Sequence, residues 1–135
     1  MSSLRWFLVA LLGIGIAGTS TDLLLIGHIE DRSQLIPLVL LFLGSLTLFW
    51  FALAPSPLSV QVFRYLMAIF VLSGIVGFYL HYSSNSEFEM EMYPSLQGFA
   101  LAKESLTGAL PVLAPMTMTN LGLLGLVTTY RHPKG

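Results

Sequence analysis

The chain contains no cysteine, and only 10% of its 135 residues are charged. Without cysteine there are no disulfides, thiolate metal sites, iron–sulfur clusters or cysteine nucleophiles. The scarcity of charge excludes an ordinary soluble domain, because such a domain needs far more polar surface than these residues supply. The net charge of -1 gives no indication of nucleic-acid binding.

Four long apolar runs fill the chain instead, at 6–26, 35–54, 60–80 and 109–130. Each run is 20 to 22 residues long. A hydrocarbon core about 30 Å thick requires roughly 20 helical residues at 1.5 Å each. The pattern therefore predicts an all-α polytopic membrane protein. The expected fold is an up-down-up-down bundle of four transmembrane helices, forming one domain over 1–135.

The first run also resembles a secretory signal peptide, since Arg5 precedes an apolar stretch that ends in small residues. Ile16 is a poor residue two positions before Gly18, and the apolar run resumes at 23–26. We therefore expect the run to be retained as a helix. Its G-x-G-x-x-G match at 13–18 has no preceding strand, so it indicates close helix packing rather than dinucleotide binding.

The charges are sorted between the two predicted faces of the membrane. An even number of helices places both termini and the 55–59 turn on one face. That face has four of the six basic residues and no acid, whereas all seven acidic residues fall on the other side. Because an excess of Lys and Arg marks the cytoplasmic side, we predict N-in, C-in topology. The four basic residues are Arg5, Arg64, Arg131 and Lys134.

The only long connection is the predicted outer loop 83–108. Within it, 87–92 alternates acidic and apolar residues, a period of two that is typical of an extended segment. Such a segment would present one apolar face as a candidate docking surface, composed of Phe88, Met90 and Met92. Pro94 then predicts the start of a short interfacial helix. In the fourth run, Pro111 and Pro115 predict a kink.

Three stretches of the chain resemble a group of small bacterial four-helix membrane proteins with no assigned activity. They are 27–37, which contains Gly-His-Ile-Glu-Asp, 87–96, and 121–133 with its Leu-Gly-Leu-Leu-Gly-Leu sequence. The resemblance covers most of the chain. It implies the bacterial inner membrane and gives no indication of an activity.

Two of the polar residues within the predicted spans are candidates for a functional role. Asp22 is about four residues from the outer end of the first span, and carboxylates inside a membrane are functional candidates by default. Alternatively, the helix ends early and Asp22 lies among the lipid headgroups. Asn120 lies near the middle of the fourth span, where it either bridges helices or lines a path for solutes.

Two histidines, His28 and His81, lie at outer helix ends near Glu30. Imidazole and carboxylate ligands on one face suit Zn²⁺ or a similar ion, and two histidines also suit haem. The spacing contains no compact ligand motif, so ordinary interfacial histidines are the alternative. No cofactor is otherwise predicted, and the absence of a G-x-S-x-G sequence gives hydrolase chemistry no support.

Three functions remain open from the sequence. The first is a structural or accessory subunit that docks a membrane-protein partner through the outer loop. The second is an ion, proton or small-solute pathway using Asp22, which needs a homo-oligomer because four helices are few for a pore. The third is a metal or haem site at the outer rim. An enzyme is the less favoured interpretation.

Overall fold

The computed structural model describes residues 2–134, which fold entirely into helices and the segments that join them. The helices are α1 (Ser3–Leu25), α2 (Arg32–Leu53), α3 (Pro57–Met92), α4 (Gly98–Leu106) and α5 (Met116–Thr129). Local sequence sets several of their ends. Ser56 caps α3 by accepting the Ser59 N–H at 3.1 Å, and Pro57 occupies the first turn. Gly27, with φ +69°, follows the end of α1.

Three helices, α1, α2 and α3, are long and apolar enough to cross a membrane. Their outward-facing side chains are as apolar as their core. Ile14, Phe42 and Leu72 are each at least 60% exposed. A helix that is hydrophobic all round needs an apolar environment on every side, which a bilayer supplies.

The fourth predicted span differs from the expectation. Helix α5 has only 14 residues, about 21 Å at 1.5 Å per residue, instead of covering 109–130. The segment 107–115 before it is irregular. The prolines at 111 and 115 lack the N–H groups that a helix interior requires, so α5 begins only after them, at Met116, where a kinked continuous helix was predicted.

The outer loop also differs from the expectation, because α3 continues for 36 residues to Met92 instead of ending near 81–82. The alternation at 87–92 therefore lies on a helix, and the predicted extended segment is wrong. Glutamate and methionine favour helix, and an existing helix extends at little cost, so these effects outweigh a short period-two pattern. The predicted short helix is present as α4, but it begins at Gly98 rather than at Pro94.

The helices pack in a closed ring of neighbours, in which α1 contacts α2 and α5, and α3 contacts α2 and α5. The largest interface joins α3 to α5 and depends on glycine. A Cβ on Gly74 would lie 2.7 Å from the Thr119 backbone nitrogen, and one on Gly122 would lie 2.5 Å from the Met67 carbonyl oxygen. The fully buried core side chains include Leu12, Leu41, Phe51, Phe63, Met67 and Phe70.

Candidate functional site

The outer end of the molecule is a helical hairpin formed by the last part of α3 and by α4. Asn85, only 3% exposed, lies at the base of this hairpin and stabilises it with hydrogen bonds. Its Nδ2 donates to the carbonyl oxygens of Ser105 and Leu110, each at 2.9 Å. Its Oδ1 accepts the Leu110 N–H at 2.9 Å. One side chain thus joins α3, α4 and the irregular segment 107–115.

The predicted docking residues are all exposed, but they do not share one face. Phe88 is 54% exposed, Met92 56% and Met90 45%. Residues four apart lie on the same side of a helix, whereas residues two apart point about 200° away from each other. Phe88 and Met92 therefore form one surface and Met90 lies on the opposite side. The expectation of a single three-residue face is wrong because the segment is helical.

Carboxylates accompany these apolar side chains on the hairpin. Glu87 and Glu91 are exposed, and Glu89 is half-buried. Glu89 and Glu91 lie in the last turn of α3, where the negative end of the helix dipole disfavours acidic side chains. The negative charge of Glu89 and Glu91 therefore destabilises the end of α3.

The two candidate metal-binding histidines both lie at the outer end, where the charge of His81 acts on His28. His81 Nδ1 lies 3.1 Å from the carbonyl oxygen of Pro111. A carbonyl oxygen can only accept, so this hydrogen bond requires a proton on Nδ1 and leaves Nε2 available to a ligand. Burial and then the charge of His81 lower the pKa of His28, which favours the neutral form that binds metals.

The third proposed ligand, Glu30, is exposed in the connection between α1 and α2. Within residues 2–134, no group of three or more His, Asp or Glu side chains is placed to hold a metal ion.

The intramembrane candidates Asp22 and Asn120 are not brought together. Asp22 is exposed in the last turn of α1, and Asn120 is exposed on α5. Gly15 of α1 lies against Leu121, so Asp22 is displaced from the level of Asn120 by seven residues, about 10 Å along the helix. At this level of α5, Thr119 makes a hydrogen bond to α3, since its Oγ1 donates to the Val71 carbonyl at 3.1 Å.

The opposite end is basic and rigidly bonded. Arg5 Nη2 donates to the carbonyl oxygens of Tyr130 and Arg131 at 3.0 and 2.9 Å. Arg64 Nη2 donates to the Thr129 carbonyl at 2.7 Å, and its Nε donates to the Thr129 hydroxyl at 3.2 Å. These bonds satisfy carbonyl groups that a helix leaves free at its C-terminus.

The last residues fold back onto the same end of the molecule. Lys134 Nζ donates to the Pro55 carbonyl at 2.9 Å. His132 is buried, 6% exposed, with its ring edge-on to Phe51 at 5.4 Å. Sequence reasoning missed both Asn85 and His132, because neither lies in a motif and each acts through residues distant in the chain.

The fold defines an all-helical class of protein with three helices of membrane-spanning length and composition. Comparison with protein-family models, with curated proteins and with solved structures finds no match for the chain.

Proposed function

We propose that this chain is an integral membrane accessory subunit that docks a partner protein through its outer hairpin. In this proposal it crosses the bacterial inner membrane as an up-down-up-down four-helix bundle, with both termini in the cytoplasm. The fourth crossing combines α5 with the irregular segment 107–115. Asn85 and His81, in the part of α3 that follows the span 60–80, bind backbone groups of that segment, so its irregular backbone is satisfied where the chain enters the membrane.

The length of α3 carries the docking proposal. Its 36 residues extend about 54 Å, against a hydrocarbon core of about 30 Å. If 60–80 crosses the bilayer, the twelve residues 81–92 project about 18 Å beyond it. A projecting, internally bonded hairpin with exposed Phe88, Met92 and Phe99 presents apolar surface that a soluble partner surface or domain can cover.

The charge on the hairpin specifies the partner's chemistry. Glu89 and Glu91 oppose the dipole at the end of α3, and a basic group on the partner would relieve that repulsion. The partner is therefore expected to offer an apolar pocket for Phe88 and Met92 with Lys or Arg at its rim. A central apolar anchor with a polar rim is the usual anatomy of protein interfaces.

The test compares two variants on opposite faces of one helix. The full-length protein is gently extracted from its own membrane and analysed by native mass spectrometry. The wild-type protein is expected to carry a stoichiometric second polypeptide, which Phe88→Ser with Met92→Ser removes. Met90→Ser is the matched control and is expected to retain it. Absence of a second polypeptide from the wild type, or equal loss in both variants, would contradict docking through this face.

A metal site at the outer rim is the second candidate, favoured by the Nε2 of His81 that the Pro111 carbonyl leaves available and by the lowered pKa of His28. Two imidazoles leave further ligands to come from Glu30, water or a partner. Zinc titration of the purified protein is expected to give one site that disappears in the His28→Ala, His81→Ala double variant. Unchanged binding in that variant would remove the histidines from any metal or haem site.

The pathway through Asp22 requires an oligomer, because both Asp22 and Asn120 lie on the outside of the single chain. In that proposal, neighbouring copies bring these exposed side chains together. Asp22→Asn is then expected to suppress ion or proton flux in liposomes. Equal flux in the variant would show that the carboxylate has no part in it.

A further inference from the structure

An apolar groove of about 390 Å³ runs along the seam between α1 and α2. From α1 its wall extends from Trp6 to Ala17, and from α2 it extends from Ser45 to Leu53. The eleven steps of α1 from Trp6 to Ala17 rise about 16 Å. One leaflet of a bilayer whose hydrocarbon core is about 30 Å thick measures about 15 Å. The groove therefore has the length of a single leaflet.

A polar pocket of about 300 Å³ lies at the basic end of the same seam. Its walls include Arg5, His132 and Lys134, together with Pro55. Arg5 directly precedes Trp6 on α1, and Pro55 follows the last residue of α2 by only two positions. The polar pocket thus adjoins the position where the apolar groove ends, as a headgroup adjoins its acyl chain.

Among residues 2–134, no carboxylate side chain lies at this end of the molecule to balance the charge of the pocket. All seven acidic residues lie in the last turn of α1, the α1–α2 connection or the outer hairpin, at the other end of the molecule. Burial, followed by the nearby cations Arg5, Arg64 and Lys134, lowers the pKa of His132. Arg5 and Lys134 each have donors beyond those bound to carbonyl groups, since a guanidinium carries five and an ammonium three.

We propose that the α1–α2 seam binds one anionic phospholipid, with its phosphate in the basic pocket and one acyl chain in the groove. The ion pairs fix the headgroup, and the groove walls between Trp6 and Ala17 bury methylene groups that would otherwise contact bulk lipid. The seam belongs to the chain alone and needs no docked partner. The lipid-binding proposal rests on the membrane insertion proposed above and does not depend on the docking of a partner.

The experiment titrates the full-length protein in a nonionic detergent with phosphatidylglycerol and, separately, with phosphatidylcholine. Native mass spectrometry counts the bound lipids. One phosphatidylglycerol is expected per chain, with markedly weaker phosphatidylcholine binding. Arg5→Gln with Lys134→Gln is expected to weaken phosphatidylglycerol binding about thirtyfold, since each basic residue near an anionic headgroup contributes about fivefold. Arg32→Gln with Lys103→Gln, at the other end, is the control and should leave binding unchanged.

A second pair of variants tests the groove without altering the basic end. A Cβ on Gly13 meets only the Leu48 Cδ2 methyl, at 3.8 Å, so Gly13→Leu fills the groove without a backbone clash. It is expected to weaken phosphatidylglycerol binding at least about tenfold, because buried methylene groups dominate lipid affinity. Gly18→Leu on the same helix, where a Cβ has no neighbour within 4 Å, is the matched control and should bind normally.

Several outcomes would overturn the proposal. Equal binding of the two lipids, or equal effects of Gly13→Leu and Gly18→Leu, would exclude a specific lipid site. Binding of inorganic phosphate with unchanged phosphatidylglycerol binding in Gly13→Leu would assign the pocket to free phosphate instead. Release of the protein from membranes by alkaline carbonate would overturn insertion, and with it both proposals. Loss of the docked partner alone would leave the lipid titration unaffected.

Discussion

The two ends of the molecule use their charged side chains in opposite ways. At the basic end, Arg5, Arg64 and Lys134 donate to backbone carbonyl groups of the chain itself. At the outer end, Glu87 and Glu91 remain exposed on a projecting helix. The charged side chains of the basic end are hydrogen-bonded within the molecule, whereas those of the outer end are exposed.

This difference shows that the basic residues have a role besides orientation. Both α2 and α5 end at the basic end, with C-caps at Ala54 and Tyr130. Helix C-termini carry partial negative charge and free carbonyl groups, so cations stabilise them. The same excess of Arg and Lys that predicts the cytoplasmic side thus also binds carbonyl groups at the end of α5 and in the connection after α2. The acids at the end of α3 have the reverse effect on their helix, which favours an intermolecular role for them.

The largest expected loss of stability comes from removing the hydrogen bonds of Asn85 at the outer end. Asn85→Ala removes three hydrogen bonds and leaves a buried carbonyl of Ser105 and part-buried backbone groups of Leu110 without this partner, which should cost about 3 kcal/mol. Hydrogen exchange of the Leu110 amide should accelerate, while exchange at Thr129 should stay slow. Faster exchange at both ends alike would show that the two ends do not behave as separate units.

Removing hydrogen bonds at the basic end should lower the stability by a smaller amount, and the change should be confined to that end of the molecule. Arg64→Met keeps the length of the side chain and removes its bonds to Thr129, at a cost of about 2 kcal/mol. Hydrogen exchange at the last turn of α5 should accelerate, and the Leu110 amide should be unaffected. Arg64→Lys is the control, because it retains a charged donor and should lose less stability. A larger loss with Lys than with Met would contradict the carbonyl-capping role.

The sequence predicts the three long apolar helices because their hydrophobic runs exceed what a soluble helix contains, and the structure confirms helices there. The tight connection at 55–56 was likewise predictable from its two flanking prolines. The sequence failed at 87–92 and 109–115. In both places a local pattern competed with another effect: helix propensity outweighed the alternation, and two prolines outweighed the apolar run.

The candidate sites were less predictable than the fold. The sequence predicted that Phe88 and Met92 are exposed. It did not predict that Met90 lies on the opposite side, because an extended segment puts residues two apart on one face whereas a helix puts them on opposite faces. Asn85 lies in a run of serines, with no marker for the three backbone groups it binds. Those partners are 20 to 25 residues away, and only packing brings them together.

The smallest expected effect is the pH dependence of the basic end. Burial and the neighbouring cations lower the pKa of His132 below its ordinary value of 6.5, so the unfolded chain binds this proton more readily than the folded one. The resulting stability is complete above about pH 6.5 and is lost as the pH falls through the lowered folded pKa. The midpoint of thermal unfolding should therefore drop by a few degrees between pH 7.5 and 5.5.

His132→Gln identifies which end is responsible for that drop. The pKa of His28 at the outer end is also lowered, by burial and then by His81, so its contribution has the same sign. If the basic end dominates, His132→Gln should reduce the drop more than His28→Gln does, because Arg5, Arg64 and Lys134 all repel a protonated His132. A drop unchanged by His132→Gln would contradict this expectation, and would show that protonation of His132 does not contribute to the loss of stability.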